Sequence, residues 1–176
     1  MGDTFEQSMK KTMSDFDSKI LPILKHTYPN MKHVEIEGRA YDEVTRDFDI
    51  YAGIDVYRVR PDAGEMIGIA SRIQRGKAWR TFTVRKSRDS GAVTEYAKRK
   101  RAIQTGTLYP MLTMQAYIDG DSVVIGMVKT KDLIEYIDNY NPQVRRTGQG
   151  QKGQAEFYVC PWGDLQAKGY KVSILA

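Results

Sequence analysis

The chain holds one cysteine, Cys160, and two histidines, His26 and His33, among its 176 residues. A lone cysteine excludes an internal disulfide framework, and so few soft ligands come close to excluding a zinc site of thiolates and imidazoles within the chain. Any metal chemistry must therefore rest on carboxylates. Long apolar runs are also missing, since none approaches the roughly 20 residues that a helix needs to cross a bilayer. No basic and then apolar leader opens the sequence, so export is not signalled, no membrane partner is expected and the cytoplasm is the expected compartment. The sequence has no glycine-rich phosphate loop with its lysine and serine or threonine. Nor does a dinucleotide fingerprint follow any strand-like segment.

What is present is the composition of an ordinary globular chain, with 41% hydrophobic and 28% charged residues. The length suits one domain with a sizeable core. We expect a single unit over 1–176, with a core at about 3–140, a basic glycine-rich loop at 141–154 and closing strands at 155–176. The 27 basic and 22 acidic side chains give a net charge of +5 and a pI near 9.2, which fits a polyanionic partner loosely.

Hydrophobic periodicity orders the elements. Phe5, Met9, Met13, Phe16, Ile20 and Leu24 recur at steps of three or four, which predicts a long amphipathic helix over 3–28. Pro22 should kink or split it. A short strand is expected at 31–38. Three further strands are then expected at 48–59, 66–74 and 79–85, forming one antiparallel meander; in the second, Ile67, Ile69, Ser71 and Ile73 share one face while Gly68, Ala70, Arg72 and Gln74 share the other. A helix follows at 92–104, and two strands at 111–118 and 123–128 are joined through Asp119-Gly120. Thr130 caps a short helix over 131–138. Residues 141–154 carry three glycines among basic and polar residues and no apolar period, which predicts a flexible loop. Strands at 157–159 and 170–175 flank a turn or helix at 162–168. The fold class is α+β (α/β), a central mixed sheet with an antiparallel three-strand meander flanked by helices.

The residues that could carry chemistry are the acids around this meander. Asp49 and Asp55 punctuate a strand-like run where aspartate is unfavourable, Glu35 lies upstream, and Glu95 opens the following helix. Four carboxylates from neighbouring strands and a helix end could hold magnesium, a hard cation that takes oxygen ligands. They could equally be structural, with Asp49 paired to Arg46 or Arg58 and Glu95 favouring a helix amino end. Arg72 and Gln74 on one strand face, with Arg85 on the next strand, could bind a phosphate, balance those acids or form a solvated sheet face. Cys160 lies in an aromatic, proline-flanked run and reads as a small core residue rather than a nucleophile.

The order helix, three strands with an acid at the end of the first, helix, further strand is similar to the core of the restriction-endonuclease-like, or PD-(D/E)XK, nuclease superfamily. The resemblance covers residues 3–118. Ala-Gly-Ile-Asp55-Val-Tyr matches the family's aspartate, and Glu35 could be its early acid. Where the family has an acid and a lysine on the second strand, Ile-Ala-Ser-Arg-Ile-Gln presents Arg72 and Gln74. Members of the superfamily can move such groups onto the following helix, and Thr94-Glu-Tyr-Ala-Lys98 supplies both Glu95 and Lys98. The run from Ile69 through Glu95 also resembles uncharacterised nuclease-like proteins of phages and prophages.

The resemblance implies a nuclease that hydrolyses DNA, ahead of RNA, with Mg²⁺ or Mn²⁺, of the kind that phages and mobile elements encode. Asp55, Glu95, Asp49 and Glu35 would bind the metal, and Lys98 would orient or activate water. Arg72, Gln74 and Arg85 would hold the phosphate. Lys98, Arg99 and Arg101 on the helix, with Arg145, Arg146 and Lys152 in the basic loop, would track the nucleic-acid backbone. A homodimer fits an enzyme that cuts two strands. The rival expectation is a nuclease-like fold without chemistry, binding nucleic acid or a host protein.

Overall fold

The computed structural model describes residues 5–36, 43, 48–147 and 154–176. The opening stripe forms α1 (Phe5–Asp15), a π-helical turn (Phe16–Ile20) and α2 (Leu21–Thr27). Pro22 enters in the first turn of α2, directly after the π-helical turn, and the Leu21 N–H reaches back five residues to the Phe16 carbonyl. The chain thus takes up the proline by widening the turn before it. Phe16, Ile20 and Leu24 are fully buried.

The strands follow in chain order as β1 (Lys32–Glu35), β2 (Val56–Arg60), β3 (Glu65–Arg75), β4 (Thr81–Arg88), β5 (Leu112–Asp119) and β6 (Ser122–Lys129). They continue with β7 (Val144–Thr147), β8 (Ala155–Pro161) and β9 (Val172–Leu175). Helix α3 (Glu95–Thr105) lies between β4 and β5, α4 (Thr130–Tyr140) follows β6, and α5 (Trp162–Ala167) follows β8. These strands form a six-stranded sheet in the order β1-β2-β3-β5-β6-β9 and a three-stranded sheet in the order β4-β8-β7. Among the described residues only β3 and β5 pair in parallel; the other pairs are antiparallel.

Strand alternation builds a core on each face of the large sheet. Ile69 of β3 with Met114 and Ala116 of β5 packs against Phe16, Ile20 and Leu24. On the other face Tyr117 and Val128 meet Phe82 and Val84 of β4, Leu133, Ile134 and Ile137 of α4, and Trp162. Gly126 on β6 makes room for that tryptophan, because a Cβ there would fall 2.3 Å from Trp162 Cζ2. Cys160 is fully buried in the same cluster, and burial pushes its thiol up to about 12.

Several expectations need correction. The antiparallel meander consists of β1, β2 and β3; β4, expected as its third strand, leaves for the second sheet and pairs with β8. Alternation fixes a strand's two faces but not its partner. Residues Phe48–Ala52 form a π-helical turn, so the second strand begins at Val56 and not at 48. Strand β4 runs on to Arg88, and the next helix begins at Glu95 rather than 92. Within the expected basic loop, Val144–Thr147 pairs with β8 as a strand. Lys152 lies outside the described residues.

Candidate functional site

A cavity of about 550 Å³ opens where β4 and the start of α3 face β3 and β5, with Asp49, Asp55 and Thr12 at its edge. Asp55 is held from both sides: its N–H donates to the Ile69 carbonyl at 2.9 Å, and its own carbonyl accepts from the Ile36 N–H at 2.8 Å. Its carboxylate accepts the Ser71 N–H at 2.5 Å. The turn before it closes when Gly53, in the left-handed conformation at φ 67°, donates its N–H to the Asp49 carbonyl. Asp49 lines the cavity, and burial raises its carboxyl above the ordinary carboxylate range.

The crossover helix supplies the opposite wall. Thr94 precedes α3, and its hydroxyl donates to the Lys86 carbonyl at 3.0 Å, tying the helix start to β4. Glu95 then sits where the helix dipole favours an anion. Its carboxylate accepts the Arg72 Nη2 at 2.6 Å and the Arg85 backbone N–H at 3.2 Å, with Arg85 Nη1 at 3.6 Å. The Arg72 and Arg85 guanidiniums lie 5.0 and 5.3 Å from the centroid of the Phe157 ring on β8.

Glu95, Lys98 and Arg99 line the cavity, as steps of three and four residues along a helix allow. Arg99 is 8% exposed. Burial lowers its guanidinium below the ordinary value, while Glu95 and Asp55 pull it back up.

Gln115 completes the floor. It is 1% exposed, stands next to Arg72 in the parallel register, and its Oε1 accepts the Thr83 hydroxyl at 3.1 Å. Its Nε2 and the Arg85 Nε are buried without a partner. Three carboxylates, Asp49, Asp55 and Glu95, thus share the cavity with five cations, Arg72, Arg85, Arg88, Lys98 and Arg99. The surplus is positive, and the donors outnumber the acceptors that could meet them.

The remaining sequence-predicted residues lie elsewhere. Glu35 is buried and pairs in register with Val56, which belongs to the core under α1 and α2; Glu35 does not line the cavity. Gln74 stands beside Tyr117 in the parallel register and does not line it either. Arg58 lies 4.3 Å from the Tyr28 ring centroid and does not line the cavity that holds Asp49. The basic run of α3 is not one face: Lys98 and Arg99 turn to the cavity, Lys100 reaches Asp138 on α4 at 2.9 Å, and Arg101 is exposed. Arg146 pairs with Asp89 at 3.2 Å, and Arg145 lies 6.0 Å from the exposed Trp79 ring.

Gln115 escaped sequence reasoning. The signal for it was a single amide inside the apolar run Leu-Thr-Met-Gln-Ala-Tyr-Ile of a central strand. A second cavity of about 640 Å³, lined by Met31, Arg58, Arg60, Glu65, Tyr109, Lys129 and others, contains none of the predicted site residues.

Among the described residues no three His, Cys, Asp or Glu side chains group as a metal site. Asp55 and Asp49 provide two carboxylates in the cavity, and Mg²⁺ commonly takes one or two, completing its shell with water and substrate phosphate. Glu95 is taken up by Arg72 and Arg85 and Glu35 lies elsewhere, so of the four expected ligands Asp49 and Asp55 are the two carboxylates of this cavity that could meet a metal ion. No helix of the described residues is long and apolar enough to cross a membrane. No protein-family model, curated protein or solved structure matches this chain.

Proposed function

We propose that the protein is a divalent-metal-dependent nuclease that hydrolyses phosphodiester bonds of DNA. The observation that carries this reading is the meeting of Asp55, Glu95 and Lys98 in one cavity with a surplus of cations. The order of elements bears on it in part: a helix, the antiparallel strands β1, β2 and β3, then β4 of the second sheet, the crossover helix α3, and β5 parallel to β3. The likeness to restriction-endonuclease-like enzymes rests on a meander at 48–59, 66–74 and 79–85, of which β2 and β3 keep their pairing and the third strand, β4, leaves for the second sheet.

In this reading Asp55 and Asp49 would hold Mg²⁺ or Mn²⁺. The ion, when bound, neutralises phosphate charge and acidifies water. Arg72, Arg85 and Arg99 bind the phosphate oxygens, Lys98 orients the attacking water by hydrogen bonding, and Glu95 holds the two arginines in place. Purified protein with Mg²⁺ or Mn²⁺ is expected to nick or degrade DNA, and Asp55→Ala to stop it with the unfolding transition unchanged. Absence of cleavage across DNA and RNA substrates, with no metal-binding heat by calorimetry, would overturn the proposal.

A second reading is favoured by one specific observation: the Glu95 carboxylate is taken up by Arg72 and Arg85. On this reading the cavity is a binding site without chemistry, for nucleic acid or a host protein. Salt-sensitive DNA binding that survives both chelator and Asp55→Ala selects it. Oligomeric state, measured by light scattering with and without DNA, tests the homodimer expected of a two-strand cutter.

A further inference from the structure

Gln115 lies on β5, a strand paired on both sides by β3 and β6, so its backbone groups have regular partners and its side chain alone faces the cavity. One end of that amide is met by Thr83 at 3.1 Å. The other end, Nε2, is buried and unmet. Turning the amide over would exchange the two ends, since the Thr83 hydroxyl can accept as well as donate. In either orientation the amide, 1% exposed, has one end that Thr83 does not meet, and buried polar groups in folded proteins are rarely left so.

Arg72 stands beside Gln115 in register, and Arg85 on β4 contributes a second buried N–H, its Nε, that also lacks a partner. Glu95 satisfies other nitrogens of these arginines but not these two donors. Two unmet N–H donors on residues that line one cavity with guanidiniums call for an anionic acceptor with several lone pairs.

We propose that Gln115 Nε2 and Arg85 Nε, with Arg72 beside them, form an oxyanion subsite that binds a non-bridging oxygen of a DNA phosphodiester. This rests on the reading of the cavity as a nucleic-acid site, and it names a binding residue that the nuclease resemblance does not. Gln115 takes the place the sequence reading gave to Gln74. Because the donor is unmet in the free protein, its role differs in sign from that of a structural amide: removing it should leave the fold as stable or more stable while weakening the ligand.

The test is binding of a fluorescein-labelled dT₁₀ oligonucleotide in EDTA, read by anisotropy beside a thermal melt, with inorganic phosphate as competitor. For Gln115→Met, which keeps the volume and loses the donor, we expect roughly tenfold weaker binding and a Tm equal to or above that of the parent. Arg85→Lys keeps the charge and loses Nε; it should weaken binding severalfold and serves as the second variant should Gln115→Met fail to fold. Millimolar phosphate should displace the oligonucleotide from the parent protein.

Parent-like binding by both variants, a lowered Tm with binding unchanged, or no oligonucleotide binding by the parent would each overturn the subsite. Competition that is equally effective against Gln115→Met would overturn it too. The outcome separates from that of nuclease activity: DNA cleavage dependent on Asp55 but indifferent to Gln115 leaves the enzyme reading standing and removes this one. Gln115-dependent binding without cleavage does the reverse.

Discussion

Glu95 and Arg72, brought together from the start of a helix and the middle of a strand, share a hydrogen bond of 2.6 Å in which the carboxylate accepts from Nη2. Their side chains are 24% and 30% exposed, so solvent screens the pair only partly, and the same carboxylate also accepts the Arg85 amide. Removing either charge leaves the other half-desolvated. We expect Glu95→Gln and Arg72→Met each to lower stability by about 1–2 kcal/mol, and the double variant to cost about 1 kcal/mol less than their sum. Urea unfolding of the four proteins checks this. Strict additivity would mean that the ion pair contributes nothing.

His33 gives the protein a dependence on pH. Its ring is 7% exposed with neither nitrogen bonded, and burial, assisted by the Arg58 charge, lowers its pKa to about 4. The folded state therefore keeps the imidazole neutral while the unfolded chain protonates it near 6.5. Stability from this residue is complete above that value and declines as pH falls from about 6.5 towards 4, by up to about 3 kcal/mol. His33→Leu should remove that part of the decline. Denaturant midpoints at pH 7 and 4.5 for both proteins would show it, and equal declines would refute it.

Gly126 and Gly163 predict opposite effects for the same substitution. A Cβ at Gly126 meets the indole of Trp162 at 2.3 Å, inside a packed cluster, whereas one at Gly163 meets nothing within 4 Å. Gly126→Ala should cost about 1–3 kcal/mol or more. Gly163→Ala, in helix α5, should be neutral or stabilising by about 0.5–1 kcal/mol. Thermal melts of the two variants decide the matter.

On the proposed function, the cavity cations should register in the salt dependence of DNA binding. Arg88 and Lys98 both line it, and removing one cation that neutralises a phosphate makes the slope of log K against log salt shallower by about one. Lys98→Ala and Arg88→Ala are each expected to do so, whereas Arg101→Ala, outside the cavity, should not. Binding titrations at four salt concentrations in EDTA would measure the slopes.

Much of the fold was legible from local pattern. The stripe Phe16, Ile20, Leu24 is the buried side of the opening helix, and Asp119-Gly120 does join β5 to β6 with Asp119 opposite Ser122. The alternation that separates Ile69 and Ile73 from Arg72 on β3 survives as well, since the two isoleucines join the core under the opening helix while Arg72 reaches Glu95. What was not legible is long-range choice. Nothing local tells β4 to abandon β3 for β8, or aligns Glu35 with a core valine. Asp49 was read as a strand residue because the run Phe-Asp-Ile-Tyr alternates like one, but a π-helical turn closed through Gly53 holds it. Gln115 drew no attention because one amide in an apolar run has no meaning until the arginines beside it are known.

The departure of β4 from the large sheet has a consequence in time. Between β3 and β5 the chain must lay down β4 and α3, and the walls of the cavity are in place only after Ile69–Arg75 has found Leu112–Ile118. Such distant parallel pairing is slow compared with helix formation and hairpin closure. In a refolding reaction the helical signal should return first and the completed cavity last, so that the oligonucleotide ligand proposed for it would capture finished molecules and ignore partly assembled ones.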